Sequence, residues 1–230
     1  MNQPNLLKNK RILVTGGGGF LGWAVVQRLL EKGALVCSFS RRSYPLLAAA
    51  GVDQVQGDIG DPEAVAAACR GVDTVFHIAA KAGVWGCASD FHRTNVVGTR
   101  NVIAACTAGS VETLVYTSSP SVVFDGKDME GVDESVPYPD RYPAPYPQTK
   151  AQAEREVVTA AGTGLKTIVL RPHLIWGPGD NHLVPRIIGR ARHLRRVSDG
   201  RNLVDTVYID NAADAHVLAA EFLETRPELS

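Results

Sequence analysis

Tyr146 and Lys150 stand four residues apart in Tyr146-Pro147-Gln148-Thr149-Lys150. On a helix that spacing brings two side chains to one face. A phenol is a poor acid or base near neutrality, with a reference pKa of about 10. A neighbouring ammonium stabilises the phenolate and lowers that value, so the tyrosine can give up or take back a proton. A second set lies upstream, Tyr116-Thr117-Ser118-Ser119. A serine hydroxyl there can hydrogen-bond an oxygen that gains charge and hold it in place. The residues alone leave the choice between Ser118 and Ser119 open.

A third set binds rather than reacts. Thr15-Gly16-Gly17-Gly18-Gly19-Phe20-Leu21-Gly22 follows the β-like stretch Arg11-Ile12-Leu13-Val14 and precedes a helical pattern, Trp23 to Lys32. Gly16, Gly19 and Gly22 space as G-x-x-G-x-x-G. Glycines permit a tight turn and a close backbone approach, and the helix N-terminus offers free N–H groups to a pyrophosphate. Ser40, Arg41 and Arg42 follow the second strand-like run. An acid near that point would hold ribose hydroxyls and select NAD. A small hydroxyl and two guanidiniums suit a 2′-phosphate instead, so NADP(H) is the expected cofactor, with NAD(H) second. Asp58, after the third strand-like run, is placed to accept from an adenine amino group. The positive ring of an oxidised nicotinamide would add to the pull of Lys150 on Tyr146.

The elements that must carry these residues alternate. Strands are expected at Ile12 to Thr15, Leu35 to Ser40, Gln54 to Gly57, Thr74 to Ile78, Thr113 to Thr117 and Thr167 to Leu170. Helices are expected at Phe20 to Lys32, Leu46 to Ala50, Pro62 to Cys69, Phe91 to Ala108 and Tyr146 to Ala161. Gly33 stops the first helix and Asp61 caps the third. The strand runs are continuous and β-branched, as in strands buried on both faces of a parallel sheet. The fold class is α/β, a doubly wound parallel sheet (Rossmann fold) with a small, incomplete C-terminal substrate lobe. Residues 118–145 read as a proline-containing loop. Beyond Arg171 the pattern loosens into a basic helix (His182 to Arg196), a strand (Leu203 to Ile209) and an amphipathic helix (Asn211 to Leu223).

Composition narrows the function. The chain has 230 residues, 45% hydrophobic and 21% charged, with a formal net charge of zero. That suits one globular domain with an appended lobe. It carries no basic excess for a nucleic-acid backbone, so no nucleic-acid partner is expected. Cys37, Cys69, Cys87 and Cys106 show neither metal-ligand nor disulfide-framework spacing, and no metal is expected. Met1 to Arg11 lacks the apolar core of a signal peptide, and no run is long enough to cross a bilayer, which points to the cytoplasm.

Taken together the motifs resemble the extended short-chain dehydrogenase/reductase family. The stretches that carry the resemblance are Thr15 to Gly22, Asp58-Ile59, His77-Ile78-Ala79-Ala80, Asn95-Val96-Val97-Gly98-Thr99, Ser118-Ser119, Tyr146 to Lys150 and Arg171-Pro172. The resemblance implies a catalytic set of Ser119, Tyr146 and Lys150, braced by Asn95. It implies a cofactor lining of Gly16, Gly18, Gly19, Phe20, Leu21, Gly22, Ser40, Arg41, Arg42, Asp58, Ile59, Ala79, Ala80, Lys81, Tyr146, Lys150 and Pro172. Within the family, Ala79 to Gly86, Thr117 to Val122 and Arg171 to Asp180 look most like the 3β-hydroxysteroid dehydrogenase branch, and more narrowly like the bacterial 2-alkyl-3-oxoalkanoate reductases of olefin biosynthesis. The implied reaction is hydride transfer between NADP(H) and the 3-oxo or 3-hydroxy group of a β-oxygenated lipid acid or sterol-like molecule.

Such a substrate wants a cation for its carboxylate, with Lys81 and Arg186 as candidates, and an apolar channel, with Val84, Trp85 and Trp176 as candidates; His173 is a further contact. The expected division is a cofactor-binding core over 1–172 and a partial substrate lobe over 173–230, because members of the family are usually longer. A homodimer through the Phe91–Ala108 and Tyr146–Ala161 helices is a further expectation. Two other activities fit the same fold: a nucleotide-sugar epimerase or dehydratase, and a regulator that binds NADP(H) without turnover. The missing acid near Ser40 argues against the first, and the retained Tyr146 and Lys150 argue against the second.

Overall fold

The computed structural model describes residues 5–83, 85–196, 199–226 and 228. Six strands form one sheet: β1 (Arg11–Thr15), β2 (Leu35–Ser40), β3 (Asp53–Gln56), β4 (Thr74–His77), β5 (Thr113–Thr117) and β6 (Lys166–Leu170). Their order is β3-β2-β1-β4-β5-β6, and every pairing is parallel. This is the doubly wound arrangement that the continuous apolar runs called for. Ile12 and Val14 point to one face and Leu13 to the other, and all three are buried. A strand with two buried faces shows no polar alternation.

Each face has its own core. On one, Ile12, Val14, Phe76 and Val115 pack with Val25 and Leu29 of α1 (Phe20–Glu31) and with Ala213, Val217 and Ala220 of the C-terminal helix. On the other, Leu13, Phe39, Val75 and Leu114 meet Val65, Val102, Cys106 and Val157. These last four come from α3 (Pro62–Ala68), α5 (Gly98–Ala108) and α6 (Pro145–Ala160). Two short helices, α2 (Pro45–Ala49) and α4 (Ala88–Phe91), complete this part. The cap expected of Asp61 is present, with its carboxylate accepting from the amides of Glu63 (3.0 Å) and Ala64 (3.3 Å). Between α4 and α5, His92–Val97 is wound as a π-helix, so the long helix begins earlier than Phe91 and carries an extra-wide turn.

The sheet order reverses between β1 and β4. Thr15 pairs with Phe39 on one side and with His77 on the other. The chains leaving β1 and β4 turn to opposite faces there, which opens a crevice at the carboxyl ends of the strands.

After β6 the structure departs from the sequence reading. Helix α7 covers Leu183–Arg190 and relaxes into one 3₁₀ turn, Ala191–His193, short of the helix expected to Arg196. No residue of α7 is buried, so packing gives it no reason to extend. Asp180 starts it, accepting from the amides of His182, Leu183 and Val184. The strand expected at Leu203 to Ile209 shrinks to β8 (Val207–Tyr208), beside β7 (Ile175–Trp176). Leu203 is 98% exposed, and Ile209 already belongs to α8 (Ile209–Thr225). Helix α8 lies along α1, and Arg28 bridges to Asp214 (2.8 Å) and Asp210 (3.2 Å). Among the described residues no helix is long and apolar enough to cross a membrane.

Two glycine substitutions separate close approach from mere flexibility. A Cβ on Gly22 would stand 2.1 Å from the Gly16 carbonyl oxygen, a backbone atom that cannot swing away. Gly22→Ala is expected to lower the urea midpoint, by about 1–3 kcal/mol of stability. Gly189, in α7, has nothing within 4 Å of the same position. Gly189→Ala is expected to be neutral, or stabilising by up to about 1 kcal/mol.

Candidate active site

The glycine run forms a turn between β1 and α1. Gly16 has φ +76°, a left-handed conformation that favours glycine. Its amide bonds to Phe39 (2.9 Å), and its carbonyl accepts from the amide of Gly19 (2.9 Å). The first bond of α1 runs from the Trp23 amide to the Gly19 carbonyl (2.8 Å). The amides of Phe20, Leu21 and Gly22 precede it. Gly19 is the N-cap, no side chain caps the helix, and its first turn holds no acid. A bare cradle beside an uncapped, electropositive helix end fits a pyrophosphate.

The next part of the crevice follows β2. Ser40 donates its hydroxyl proton to the Arg42 carbonyl (3.2 Å), and Arg41 and Arg42 are exposed. Asp58 already has partners: it accepts from the Gly60 amide (2.8 Å) and pairs with Arg93 (3.0 Å). Ile59 is buried against Gly98, and its carbonyl accepts from Asn101 (3.0 Å).

From the ends of β1 and β4 a buried relay runs to the helices. Thr15 Oγ1 accepts the amides of Ile78 and Ala79, both at 3.1 Å. Its own proton therefore goes to His77 Nδ1 (2.8 Å). That leaves the His77 proton on Nε2, facing Thr99 Oγ1 (3.0 Å), and Thr99 donates to the Asn95 carbonyl (2.6 Å). His77 is fully buried, and burial with the nearby Lys150 charge brings its pKa down to about 3. The Asn95 side chain then clamps Lys81, accepting its amide (2.7 Å) and donating to its carbonyl (3.1 Å). It also donates to Thr149 (3.1 Å) at the start of α6. Asn95 sits in the π-helical turn, whose extra residue turns its side chain to both neighbours.

Helix α6 carries Tyr146 and Lys150. Lys150 is buried, donating to the Tyr116 hydroxyl (2.7 Å) and the Thr117 carbonyl (2.5 Å). Burial lowers its pKa to about 7, against an opposing pull from Glu154. Ser119 acts on the Tyr146 phenol, lowering its pKa, while the Ser119 Oγ lies 2.9 Å from Ser121 Oγ and accepts the Ser121 amide (3.3 Å). Ser118 is buried, and its Oγ has no partner among the described residues. Of the two serines, only Ser119 bears on the Tyr146 phenol, by lowering its pKa. The expected depression of Tyr146 is absent. Burial raises its pKa and Ser119 opposes the rise, while the Lys150 ammonium points at β5.

Several working side chains escaped the sequence reading. Glu154 continues the stripe of Tyr146 and Lys150 at the same four-residue step, a signal that was available. It is buried, pairs with Arg171 and accepts from the Tyr138 hydroxyl (2.7 Å). That pins the end of β6, where half-buried Pro172 follows, and the loop that carries Tyr138. His216 of α8 is buried too. Its Nδ1 donates to the Ala212 carbonyl (2.6 Å) and its Nε2 accepts from Thr117 (2.9 Å), so α8 holds the residue whose carbonyl receives Lys150.

The substrate candidates scatter. Lys81 pairs with Asp90 (2.8 Å) over the Phe91 ring. Trp85 is 90% exposed, His173 is exposed, and Trp176 packs edge-on against Tyr208. Val84 lies outside the described residues. Arg186 lines a groove of about 450 Å³ with Leu174, Ile175, Leu183, Ile187 and Arg190, which none of Ser119, Tyr146 or Lys150 lines. Among the described residues no cluster of His, Cys, Asp and Glu could hold a metal ion.

A family profile described as 3-beta hydroxysteroid dehydrogenase/isomerase family matches residues 13–229. A 2-alkyl-3-oxoalkanoate reductase of Stenotrophomonas maltophilia is 54% identical over 217 residues, 93% of this chain and 66% of that protein. A protein of the same name from Shewanella oneidensis is 50% identical over 231 residues, 96% of this chain and 60% of that one. The chain therefore spans less than two thirds of the length of these relatives. Among solved structures, the UDP-glucose 4-epimerase of Thermus thermophilus in complex with NAD superposes with a TM-score of 0.75 at 29% identity, covering 91% of this chain and 74% of that chain.

The relay fixes a prediction about His77. Folding holds the ring neutral, so below pH about 6.5 the unfolded chain binds a proton that the folded one refuses. Its contribution to stability is complete above that pH and is lost as pH falls toward 3. Nitrogen-15 NMR is expected to show neutral His77, protonated on Nε2, from pH 8 to pH 5. An imidazolium at pH 6 would sink the relay.

Proposed function

This chain belongs to the 3-beta hydroxysteroid dehydrogenase/isomerase family, and we propose that it is an NADP(H)-dependent oxidoreductase acting on the 3-oxo group of a 2-alkyl-3-oxo acid. The observation that carries the reading is the pairing of Tyr146 and Lys150 on α6, with Ser119 bearing on the Tyr146 phenol, in a fold whose first helix opens on an uncapped glycine turn. The names of the two bacterial relatives support the substrate class.

When bound, the reduced nicotinamide supplies a hydride. The side chains do the rest. Ser119 and Tyr146 hold the substrate oxygen between two hydroxyls. Burial keeps the proton on Tyr146 at neutral pH, so it is available for the oxygen as negative charge develops there. Lys150, whose ammonium is held by Tyr116 and Thr117 of β5, would hold the ribose hydroxyls and lend its positive charge to the site, and Glu154 helps to keep it charged. Asn95 fixes the distance between the Ala79–Lys81 segment and α6. Arg41 and Arg42 take the 2′-phosphate. The absence of an acid at Ser40 speaks for NADP(H), although the epimerase neighbour holds NAD. Residues 1–172 supply the cofactor side. Residues 173–230 supply the substrate side, with Arg186 for the carboxylate and the groove of about 450 Å³ for alkyl chains.

The test is titration with NADPH and NADH, followed by NADPH oxidation with a 2-alkyl-3-oxo acid. Tighter binding of NADPH is expected, with the preference lost in Arg41→Ala/Arg42→Ala. Tyr146→Phe is expected to cut turnover about 10²–10⁴-fold while NADPH affinity stays within about threefold. kcat/KM for reduction should fall as pH rises through about 7, because the free enzyme then loses the Lys150 charge. Full turnover in Tyr146→Phe, or turnover of a UDP-sugar instead, would overturn the reading.

A further inference from the structure

We propose that Tyr44 is a specificity-determining residue, one that fixes the Arg42 guanidinium beside the glycine turn so that it meets a ribose 2′-phosphate. The proposal rests on the reading of Arg41 and Arg42 as phosphate ligands. It goes beyond that reading by naming what orients them and which arginine is oriented.

Residues 40–44 are exposed for the most part, yet their backbone is tied at three points and the Ser43 side chain at a fourth. Ser40 holds the Arg42 carbonyl. Gln54 of β3 bonds Tyr44 from both sides, accepting its amide (2.7 Å) and donating to its carbonyl (3.2 Å). Gln56, at the end of β3, donates to the Ser43 hydroxyl. A loop needed only to join β2 to α2 does not require two glutamines from the neighbouring strand. The result is a fixed exit angle for the Tyr44 side chain.

That side chain lies over the phosphate cradle. A Cβ on Gly18 would stand 2.3 Å from two atoms of the Tyr44 ring. Gly18 has no left-handed φ to explain it, so the ring is what requires a glycine there. On the ring rests Arg42, with its guanidinium carbon 5.0 Å from the centroid. A guanidinium stacked on an aromatic face keeps its edge donors free, and those donors match a phosphate. Neither Arg41 nor Arg42 has an ion-pair partner among the described residues, so the stack is what restrains Arg42. Arg41 has no comparable support. The Tyr44 ring thus contacts both Gly18 of the turn and the Arg42 guanidinium.

NADPH and NADH differ only in the 2′-phosphate, and their affinities for the full chain, read by energy transfer from tryptophan, test the proposal. Tyr44→Leu fills the space without a π face, and Tyr44→Phe keeps the face. Tyr44→Leu is expected to weaken NADPH about fivefold and leave NADH within about twofold, whereas Tyr44→Phe matches the parent. Arg42→Ala is expected to weaken NADPH by about tenfold or more. If Arg42→Ala weakens NADPH and Tyr44→Leu does not, Tyr44 is no specificity residue and the arginine reading stands. Equal losses for both nucleotides in Tyr44→Leu would make Tyr44 a plain wall of the site and overturn the proposal. No preference for NADPH in the parent chain would overturn both.

Discussion

The Thr15 hydroxyl is the joint on which the candidate site hangs. It accepts two amides from the chain leaving β4 and gives its proton to His77, so the ends of β1 and β4 are locked where the sheet order reverses. A crevice at that point is a consequence of topology, but topology alone leaves its walls loose. The relay through His77 and Thr99 to Asn95, and from Asn95 to Lys81 and Thr149, transmits the strand register to the helix that carries Tyr146. Each member is buried or nearly so. A buried polar chain that is fully satisfied gives rigidity, whereas one missing partner would leave an unpaired group inside the protein.

The same logic sets the charges. Lys150 and Glu154 are both buried, one turn apart on α6, and each has its own partners: the Tyr116 hydroxyl and Thr117 carbonyl for the ammonium, Arg171 and Tyr138 for the carboxylate. Burial works against both charges, and the partners work for them. For Lys150 burial wins and its pKa falls to about 7; for Tyr146 burial wins as well and its pKa rises. From reference values that nearly coincide, burial thus moves the two groups apart: the Tyr146 phenol holds its proton more tightly and the Lys150 ammonium gives its proton up more readily, so the two take different roles at one site.

The strands were legible because burial on both faces removes polar alternation, and that signature survives without any knowledge of partners. The glycine turn was legible because Gly16 and Gly22 answer local demands, a left-handed φ and a helix that presses on its own entry loop. Tyr146 and Lys150 were legible through helical spacing. What stayed hidden depends on contacts between distant segments. His216 reads as one more residue on an apolar face until Thr117, 99 residues away, is placed beside it. The π-helical turn has no marker in composition, and β8 shrinks to two residues because only Ile175 and Trp176 are there to pair with it. The direction of the Tyr146 shift was misjudged for a related reason: spacing put Lys150 on the right face, but a carbonyl on β5 claims its ammonium.

Order along the chain is a poor guide to mechanical dependence here. Helix α8 lies beyond the loose stretch that follows β7, yet it builds the core of the α1 face with Ile209, Ala212, Ala213, Val217 and Ala220. It is fastened to α1 through Arg28, and its His216 reaches the residue whose carbonyl receives Lys150. Helix α7, which comes before it, buries nothing. The interval between β7 and β8 therefore behaves as an excursion from one continuous body, and α8 is part of the support beneath Lys150. A disturbance at the α1–α8 contact has a short covalent and hydrogen-bonded path to the ammonium, through His216 and Thr117. A disturbance at α7 must instead pass through β7 and β8, whose pairing holds only two residues on each side.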